Sequence, residues 1–376
     1  MIDFLIIGGG VVGTFLAREL SHYEGTTLLV EKEDDFSQIQ TTHNSALVHS
    51  PVVTPPSKGE LKSRLSREGN AIYHALSEKL DVPVKKNGAM MVIDNHEDEA
   101  ELRKMIDDAR ERGIEEVAYL SREEALAMEP NLSDDIVGAM HMPTAMTADT
   151  YALTKAIGAN ASRHGAQFHF NTEVLDITHD GTAFTIKTSK GEIFKARYVF
   201  NAAGVHNATI ASMIETSVPY TMTPRRGDYY VLDASQRDFM GHTIFPMPSK
   251  KGKGVLIVPQ PDGTIRLGPT SIPQDSLDDH TVREAGLREI KENVSTYAKN
   301  IPFDHVLRTY AGVRSTIDQK DFFIQPSREV PSFIHVAGID SPGVTSAPAI
   351  AKYVTETIMP KFEVLRKKDG VDPLAQ

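Results

Sequence analysis

The sequence predicts an α/β protein with two domains, one on a central parallel sheet and one of the α+β type on a mostly antiparallel sheet. At the start of the chain, an apolar strand pattern is followed by glycines and a helical pattern. Strands and helices alternate again in the middle and at the end, whereas residues 220–312 are rich in strand patterns. The predicted pieces are 1–80, 145–215 and 326–376 for the parallel-sheet domain, and 81–144 and 216–325 for the other.

The first element is a buried strand that runs into a glycine-rich loop. Residues 4–7 are consecutive apolar residues, and the pattern GxGxxG follows at 8–13, ahead of apolar residues at helical spacing. In this context the first glycine makes a tight turn, the second admits a pyrophosphate close to the backbone, and the third lets helix and strand pack closely. The pyrophosphate would rest on the helix N-terminus. The residues predicted to hold it are Gly8, Gly10, Val11, Val12 and Gly13.

The second strand supplies an acidic residue at the position that a ribose requires. Residues 27–30 form an apolar strand pattern that ends at Glu31, which is followed by Lys32. An acidic residue about 20 positions after the glycine loop accepts hydrogen bonds from ribose hydroxyls, and it would repel a 2′-phosphate. Strand, loop, helix, strand and acidic residue together predict a dinucleotide site, to which we assign Glu31 and Lys32.

The remaining elements follow from periodicity and stop signals. Helical patterns cover 65–80, 97–112, 151–164 and 345–359, and strand patterns cover 89–93, 167–170, 173–177, 184–189, 192–194, 197–200 and 333–336. Gly113 ends the second helix, and Ser121 with Glu124 forms a capping box that starts a short one. A nicotinamide enzyme would usually continue its alternating elements without a break. A Rossmann-like FAD-binding domain uses the start, middle and end of its chain, so the interruption favours FAD.

Composition limits the partners and the chemistry. A net charge of −11 and a pI near 5.7 argue against nucleic acid, which requires a basic face. A small anionic substrate remains compatible, since a pocket can be locally basic. The absence of cysteine excludes disulfides, thiolate metal sites and cysteine-linked flavin. No histidine spacing indicates a metal site. No apolar run approaches the ~20 residues of a membrane span, so we expect a cytoplasmic protein without an integral membrane segment.

Several later motifs carry a resemblance that extends over nearly the whole chain. They are Thr41-Thr42-His43-Asn44-Ser45 with His49, Asn201-Ala202-Ala203-Gly204, Arg225-Arg226-Gly227-Asp228, Gly252-Lys253-Gly254, Ala311-Gly312-Val313-Arg314 and Gly338-Ile339-Asp340-Ser341-Pro342-Gly343. With the glycine loop, they resemble the D-amino-acid-oxidase-like FAD oxidoreductases, and most closely the short, mycoplasma-type glycerol-3-phosphate oxidases. The resemblance implies non-covalent FAD and oxidation of glycerol 3-phosphate at C2. The product would be dihydroxyacetone phosphate, with hydrogen peroxide if molecular oxygen, rather than another acceptor, takes the electrons.

The same resemblance extends the predicted FAD site. Small residues and prolines at 341–348 would aim a helix N-terminus at the flavin N1–C2 carbonyl and stabilise the reduced ring. The turn at 201–204 would pack under the pyrophosphate, and Val174 would present its backbone to the adenine. The cofactor-binding residues predicted beyond the glycine loop and Glu31 are Thr41, Thr42, Ser45, Val174, Ala203, Gly204, Gly338, Ser341, Pro342, Gly343, Val344 and Thr345.

His49 is the predicted catalytic base, because an imidazole with a near-neutral pKa suits removal of the hydroxyl proton while the hydride moves to flavin N5. Lys253 and Arg314 are predicted to act in catalysis and to hold the anion of the substrate. Ser341 and Arg226 complete the predicted substrate-binding set, with Arg225 able to exchange roles with its neighbour.

Two alternatives remain open from the sequence. The same machinery could act on an L-2-hydroxy acid or a small amino acid, with Arg314 gripping a carboxylate and Asp340 placed near an ammonium group. The chain could also bind FAD as a structural element without turnover. The set of polar residues predicted near the flavin ring favours an enzyme over the second alternative.

Overall fold

The computed structural model describes residues 1–79, 81–247 and 254–371. The α-helices are α1 (Val11–Ser21), α2 (Glu60–Leu76), α3 (Glu99–Glu111), α4 (Arg122–Met128), α5 (Thr150–Arg163), α6 (Asn207–Ala211), α7 (Glu284–Tyr297) and α8 (Gly343–Tyr353). The strands are β1 (Ile2–Ile7), β2 (Thr27–Val30), β3 (Leu47–Val48), β4 (Val84–Lys85), β5 (Ala89–Ile93), β6 (Ala118–Ser121), β7 (Gly138–Met142), β8 (Met146–Ala148), β9 (Gln167–His169), β10 (Val174–His179), β11 (Phe184–Thr188), β12 (Ile193–Asn201), β13 (Arg225–Leu232), β14 (Thr243–Pro246), β15 (Leu256–Pro259), β16 (Ile265–Gly268), β17 (Ile272–Pro273), β18 (Val306–Arg314), β19 (Phe323–Pro326) and β20 (Phe333–Ala337).

The first sheet has eight strands and combines the start, the middle and the end of the chain. Its order is β10-β11-β12-β1-β2-β9, with β20 beside β12 and β19 beside β20. The pairs β12–β1, β1–β2, β2–β9 and β12–β20 are parallel. Parallel strands buried on both faces require continuous apolar runs, and Leu5 and Ile6 are completely buried. Helix α1 packs against α5 and α8 next to this sheet.

The second sheet is mostly antiparallel. Its nine strands run in the order β17-β13-β16-β15-β14-β5-β7-β6, with β18 beside β13, and β14–β5 is a parallel pair. These strands come from 89–142 and 225–314, which lie within the two stretches predicted for the second domain. The predicted α/β class, with one parallel-rich and one mostly antiparallel sheet, is confirmed, while the exact domain boundaries stay a prediction.

Some predicted elements differ in extent from those observed. The predicted strands 192–194 and 197–200 are one strand, β12, because its first half pairs with β11 and its second half with β20. The predicted helix 345–359 begins earlier as α8, and a π-helical turn, Val354–Ile358, follows it. Among the described residues, no helix combines the length and the apolar character that a membrane crossing requires.

Candidate active site

The glycine-rich loop joins β1 to α1 in a conformation that only glycine fits. Gly8 has a φ of +110°, and a Cβ there would lie 2.5 Å from the carbonyl oxygen of Ala202. A Cβ on Gly13 would lie 1.9 Å from the carbonyl oxygen of Gly8, so the helix could not approach the loop as closely. The positive φ of Gly8 therefore agrees with the tight turn predicted for the first glycine, and the close approach at Gly13 agrees with the packing predicted for the third.

Glu31 stabilises the same loop. One carboxylate oxygen of Glu31 accepts a hydrogen bond from the Gly9 amide, and the other accepts one from the Glu33 amide at 2.9 Å. A carboxylate has about four lone-pair positions, so these bonds leave capacity for a ligand hydroxyl. Glu31 thus lies at the end of β2 as predicted, and it also holds the glycine loop in place.

A first cavity of about 180 Å³ lies over these residues. Its lining includes the predicted cofactor-binding residues Gly8, Gly10, Glu31, Lys32, Thr41, Val174, Ala203 and Gly204. The cavity therefore brings together residues from the start and the middle of the chain, at the carboxyl ends of parallel strands, where open α/β sheets bind their ligands.

The loop at 38–45 connects the glycine loop to the second sheet. The Thr41 hydroxyl oxygen accepts a hydrogen bond from the Val11 amide at 3.0 Å. Gln40 accepts from the Val205 amide at 3.1 Å and donates to the Val313 carbonyl at 3.0 Å. Gln40 could not be predicted from the sequence, because an isolated glutamine in a polar loop carries no motif.

A second cavity of about 760 Å³ adjoins the first. Both cavities are lined by Gly10, Gln40, Thr41, Ala202 and Gly204. The second cavity lies between the two sheets. The predicted site residues that line this cavity but not the first are Val11, Val12, Ser45, His49, Arg314, Ser341, Pro342, Gly343 and Val344. The two cavities thus form a continuous site from Glu31 and Val174, past the glycine loop, to the turn before α8.

His49 and Ser341 are brought together on the wall of the second cavity. His49 Nε2 lies 3.4 Å from Ser341 Oγ. The backbone of His49 is held on both sides, since its amide donates to Thr345 Oγ1 at 2.9 Å and its carbonyl accepts from Asn70 Nδ2 at 3.0 Å. The half-buried imidazole is therefore fixed in position against the N-terminus of α8.

The prediction for Arg226 is not supported by its position. Arg226 is buried, with Nε 3.4 Å from the carboxylate of the fully buried Asp228, and it is absent from the cavity wall that the structure describes. Successive strand residues face opposite sides of a sheet, so Arg225 lines the cavity instead. Arg314 lines the cavity as well, and Lys253 lies outside the described residues.

Four other predicted cofactor-binding residues lie behind the described walls of the two cavities. The Thr42 hydroxyl donates to the Ser37 carbonyl at 2.8 Å and lies 3.1 Å from His43 Nδ1, so it serves the loop itself. The hydroxyl oxygen of Thr345 accepts a hydrogen bond from the His49 amide. Gly13 packs on Gly8, and Gly338 turns the chain with a φ of +68° two residues before Asp340.

An ion pair neutralises the acidic residue of the turn. Lys62 Nζ on α2 donates to Asp340 Oδ1 at 2.7 Å, and both side chains are largely buried. The Lys62 ammonium also lies 5.0 Å from the centre of the Phe322 ring. Asp340 lines the second cavity, but its negative charge is already compensated by Lys62. The sequence showed the aspartate but offered no signal for its partner.

Tyr229 of the second sheet and His43 of the loop at 38–45 complete the wall. The Tyr229 ring, which lines the cavity, stacks on Tyr310 with centroids 4.5 Å apart. Burial raises the pKa of both phenols, so both stay protonated. Burial lowers the pKa of His43, whose Nδ1 lies 2.6 Å from the Ile39 carbonyl oxygen.

The site fits an elongated dinucleotide. It offers a carboxylate at one end, a loop without side chains in the middle and a helix N-terminus at the other. Its larger part has the volume of a small-molecule pocket, ~300–1,000 Å³. Within 1–79, 81–247 and 254–371, no cluster of three or more His, Asp or Glu residues is suited to a metal ion.

Comparison with known proteins shows the family to which the chain belongs. The family model described as FAD dependent oxidoreductase matches residues 3–357. A glycerol 3-phosphate dehydrogenase of Caloramator mitchellensis is 34% identical over 375 residues, covering 99% of this chain and 77% of that protein. A glycerol 3-phosphate oxidase of Mycoplasma genitalium is 29% identical over 386 residues, covering 99% and 97%. The structure of dithionite-reduced L-alpha-glycerophosphate oxidase from Mycoplasma pneumoniae with FAD bound superposes with a TM-score of 0.91 at 25% identity, covering 99% and 97%.

Proposed function

The chain belongs to the FAD-dependent oxidoreductases, and from this premise we propose that it oxidises sn-glycerol 3-phosphate to dihydroxyacetone phosphate. The observation that carries the proposal is the second cavity, which is lined by the His49–Ser341 pair and by Arg314 next to the glycine loop. The relatives named for glycerol 3-phosphate, which match almost the whole chain, support the same substrate.

The cofactor is FAD, bound without a covalent link. In this proposal Glu31 and Val174 receive its adenosine part, the amides of the glycine loop receive its diphosphate, and the turn at 341–344 receives its ring. Bound FAD supplies the acceptor for the hydride that leaves C2 of the substrate.

His49 takes the proton of the substrate hydroxyl. Oxidation of a secondary alcohol to a ketone removes a hydride from carbon and a proton from oxygen, so a base beside the hydroxyl lowers the barrier. His49 and Ser341 both line the second cavity, with Nε2 of His49 next to Oγ of Ser341. Hydrogen bonds with Thr345 and Asn70 fix the backbone of His49. Ser341 orients the imidazole and offers its hydroxyl to the substrate oxygen.

Arg314 holds the phosphate of the substrate, because a planar guanidinium can donate two hydrogen bonds to one anionic group. Lys253 is proposed as a second anion-binding and catalytic cation on sequence grounds, and the residue that follows it, Gly254, lines the second cavity. The ion pair of Asp340 with Lys62 removes the observation that favoured an amino-acid substrate, since that carboxylate is already compensated.

Anaerobic reduction of the FAD-loaded protein tests the proposal. Glycerol 3-phosphate should bleach the visible flavin absorbance, whereas 2-hydroxyglutarate and glycine should leave it unchanged at the same concentration. Bleaching by either of the latter alone would overturn the substrate assignment. Hydrogen peroxide on readmission of air would identify oxygen as the electron acceptor, and its absence would indicate another acceptor. A cytoplasmic location belongs to the proposal and is tested by cell fractionation.

A further inference from the structure

Two arginines lie directly opposite each other in the second sheet. Arg225 on β13 pairs with Arg314 on β18 in the antiparallel register, and both residues line the second cavity. Directly opposite residues of an antiparallel pair project from the same face, with Cβ atoms about 4.5–5.5 Å apart, and like charges in this position destabilise the sheet. Such a pair costs stability unless a ligand or a carboxylate compensates it.

No carboxylate in the described part of the chain forms an ion pair with either arginine, whereas the neighbouring Arg226 is paired with Asp228. Neutral oxygens orient both guanidinium groups instead. Arg225 donates through Nε to Ser271 Oγ at 2.9 Å and through Nη2 to the Ser271 carbonyl, and Arg314 Nη2 donates to the Thr270 carbonyl at 3.4 Å. Ser271 also lines the cavity. The arrangement fixes two positive charges on one wall without neutralising them.

Other charged residues of this cavity do not cancel the pair. Asp340 is held by Lys62. Glu289 and Glu292 on α7 also line the cavity, but both residues are exposed. Water and salt screen exposed carboxylates strongly, so their field at the arginines is weak.

We propose that Arg225 and Arg314 together form a site for a doubly charged anion, in which Arg314 binds any anionic group and Arg225 selects phosphate over carboxylate. A phosphate monoester carries a charge of about −1.5 to −2 at pH 7, whereas a carboxylate carries a single charge. The second guanidinium is therefore compensated by a phosphate and remains uncompensated beside a carboxylate. This inference rests on the proposed function and adds the residue that sets its substrate class.

Equilibrium binding to the FAD-loaded protein tests the inference independently of turnover. The probes are sulfate, a tetrahedral dianion, and lactate, a 2-hydroxy acid with one charge, both measured by isothermal titration calorimetry. Arg225→Gln should weaken sulfate binding by about 10- to 100-fold, the range for one charge-assisted hydrogen-bonding group, and lactate binding by less than about threefold. Arg314→Gln should weaken both. Arg288→Gln, which removes one exposed charge from α7 away from the described cavity wall, should change neither.

Equal losses of sulfate and lactate in Arg225→Gln, or no loss of sulfate, would overturn the selective role of Arg225. Arg225→Lys separates charge from folding, because it keeps the positive charge without the guanidinium geometry, and it should bind sulfate more tightly than Arg225→Gln. A folded Arg225→Lys protein that binds sulfate as poorly as Arg225→Gln would also contradict the inference. If wild-type flavin is not reduced by glycerol 3-phosphate while sulfate binding depends on Arg225, the proposed function fails and the dianion site stands.

Discussion

The hydroxyl of Tyr73 donates a hydrogen bond to the main-chain carbonyl of Val344 at 3.0 Å. In α8 this carbonyl would normally accept from the amide four residues later, but that residue is Pro348, which has no N–H. Tyr73 is buried on α2, and it replaces the missing donor. Because Val344 lines the second cavity, the bond connects α2 to the helix N-terminus that we assign to the flavin ring.

Tyr73→Phe should lower the free energy of unfolding by about 1 kcal/mol, since it leaves the Val344 carbonyl without its donor. Urea unfolding of the FAD-loaded protein measures the change. Tyr353→Phe is the matched control, because the Arg64 guanidinium lies over its ring at 5.1 Å and phenylalanine preserves that contact. A Tyr73→Phe protein as stable as the control would show that water replaces the hydroxyl at no cost.

His22 should make the stability depend on pH. Burial is the main cause that lowers its pKa from 6.5 to about 3, and its Nε2 has no hydrogen-bond partner among the residues that the structure describes. In the unfolded chain His22 takes up a proton below pH 6.5, whereas the folded protein stays neutral until about pH 3. The unfolded state thus binds more protons than the folded state in this window. The free energy of unfolding therefore decreases as the pH falls, by up to about 1 kcal/mol per pH unit.

His22→Gln should therefore show a shallower loss of stability between pH 6 and pH 4 than the wild type, measured by urea unfolding at each pH. His96→Gln is the control, because the His96 side chain is 82% exposed. A wild-type slope that His22→Gln leaves unchanged would assign the acid sensitivity to other groups. Glu19 is not one of them, because burial raises its pKa and the folded protein then binds more protons than the unfolded chain as the pH falls.

The parts of the site that depend on local sequence could be predicted. The glycine loop, Glu31 and the turn at 341–344 lie where the sequence placed them, because a tight turn and a close helix–strand contact leave a pattern within a few residues. The capping box of Ser121 and Glu124 is also present, with both reciprocal hydrogen bonds formed.

The parts that depend on long-range packing could not be predicted. Whether Arg225 or Arg226 faces the cavity depends on which face of β13 is turned inward, and β18, some 80 residues later, sets that register. Lys62 meets Asp340 across 278 residues of sequence, and no motif records that contact. Thr42 belongs to a motif, yet its hydroxyl donates a hydrogen bond to the Ser37 carbonyl within the same loop.

His49→Ala should slow anaerobic reduction of the flavin by glycerol 3-phosphate by about 10²–10⁴-fold, the usual contribution of a general base. Stopped-flow absorbance gives the rate, and the affinity for FAD should be unchanged. His96→Ala, which alters an exposed histidine, should reduce at the wild-type rate. An unchanged rate in His49→Ala would remove this residue from the mechanism, and proton transfer would then require another group.

Lys62→Met should expose the negative charge of Asp340 to the substrate space. The ammonium lies 2.7 Å from the Asp340 carboxylate, and Asp340 lines the second cavity, so the uncompensated charge would repel an anionic substrate. We expect KM for glycerol 3-phosphate to rise by about tenfold, because repulsion of about 1.4 kcal/mol suffices for that change. Since Lys62 does not line the described cavity wall, kcat should stay within about threefold.

The double variant Lys62→Met with Asp340→Asn distinguishes charge from packing. Removal of both charges should bring KM back to within about threefold of the wild type, because partner and carboxylate cancel each other. Lys62→Arg, which keeps the ion pair, should show a near-normal KM. If the double variant binds substrate as poorly as Lys62→Met alone, the loss would come from the contact of Lys62 with the Phe322 ring, and electrostatic screening of Asp340 would not control substrate entry.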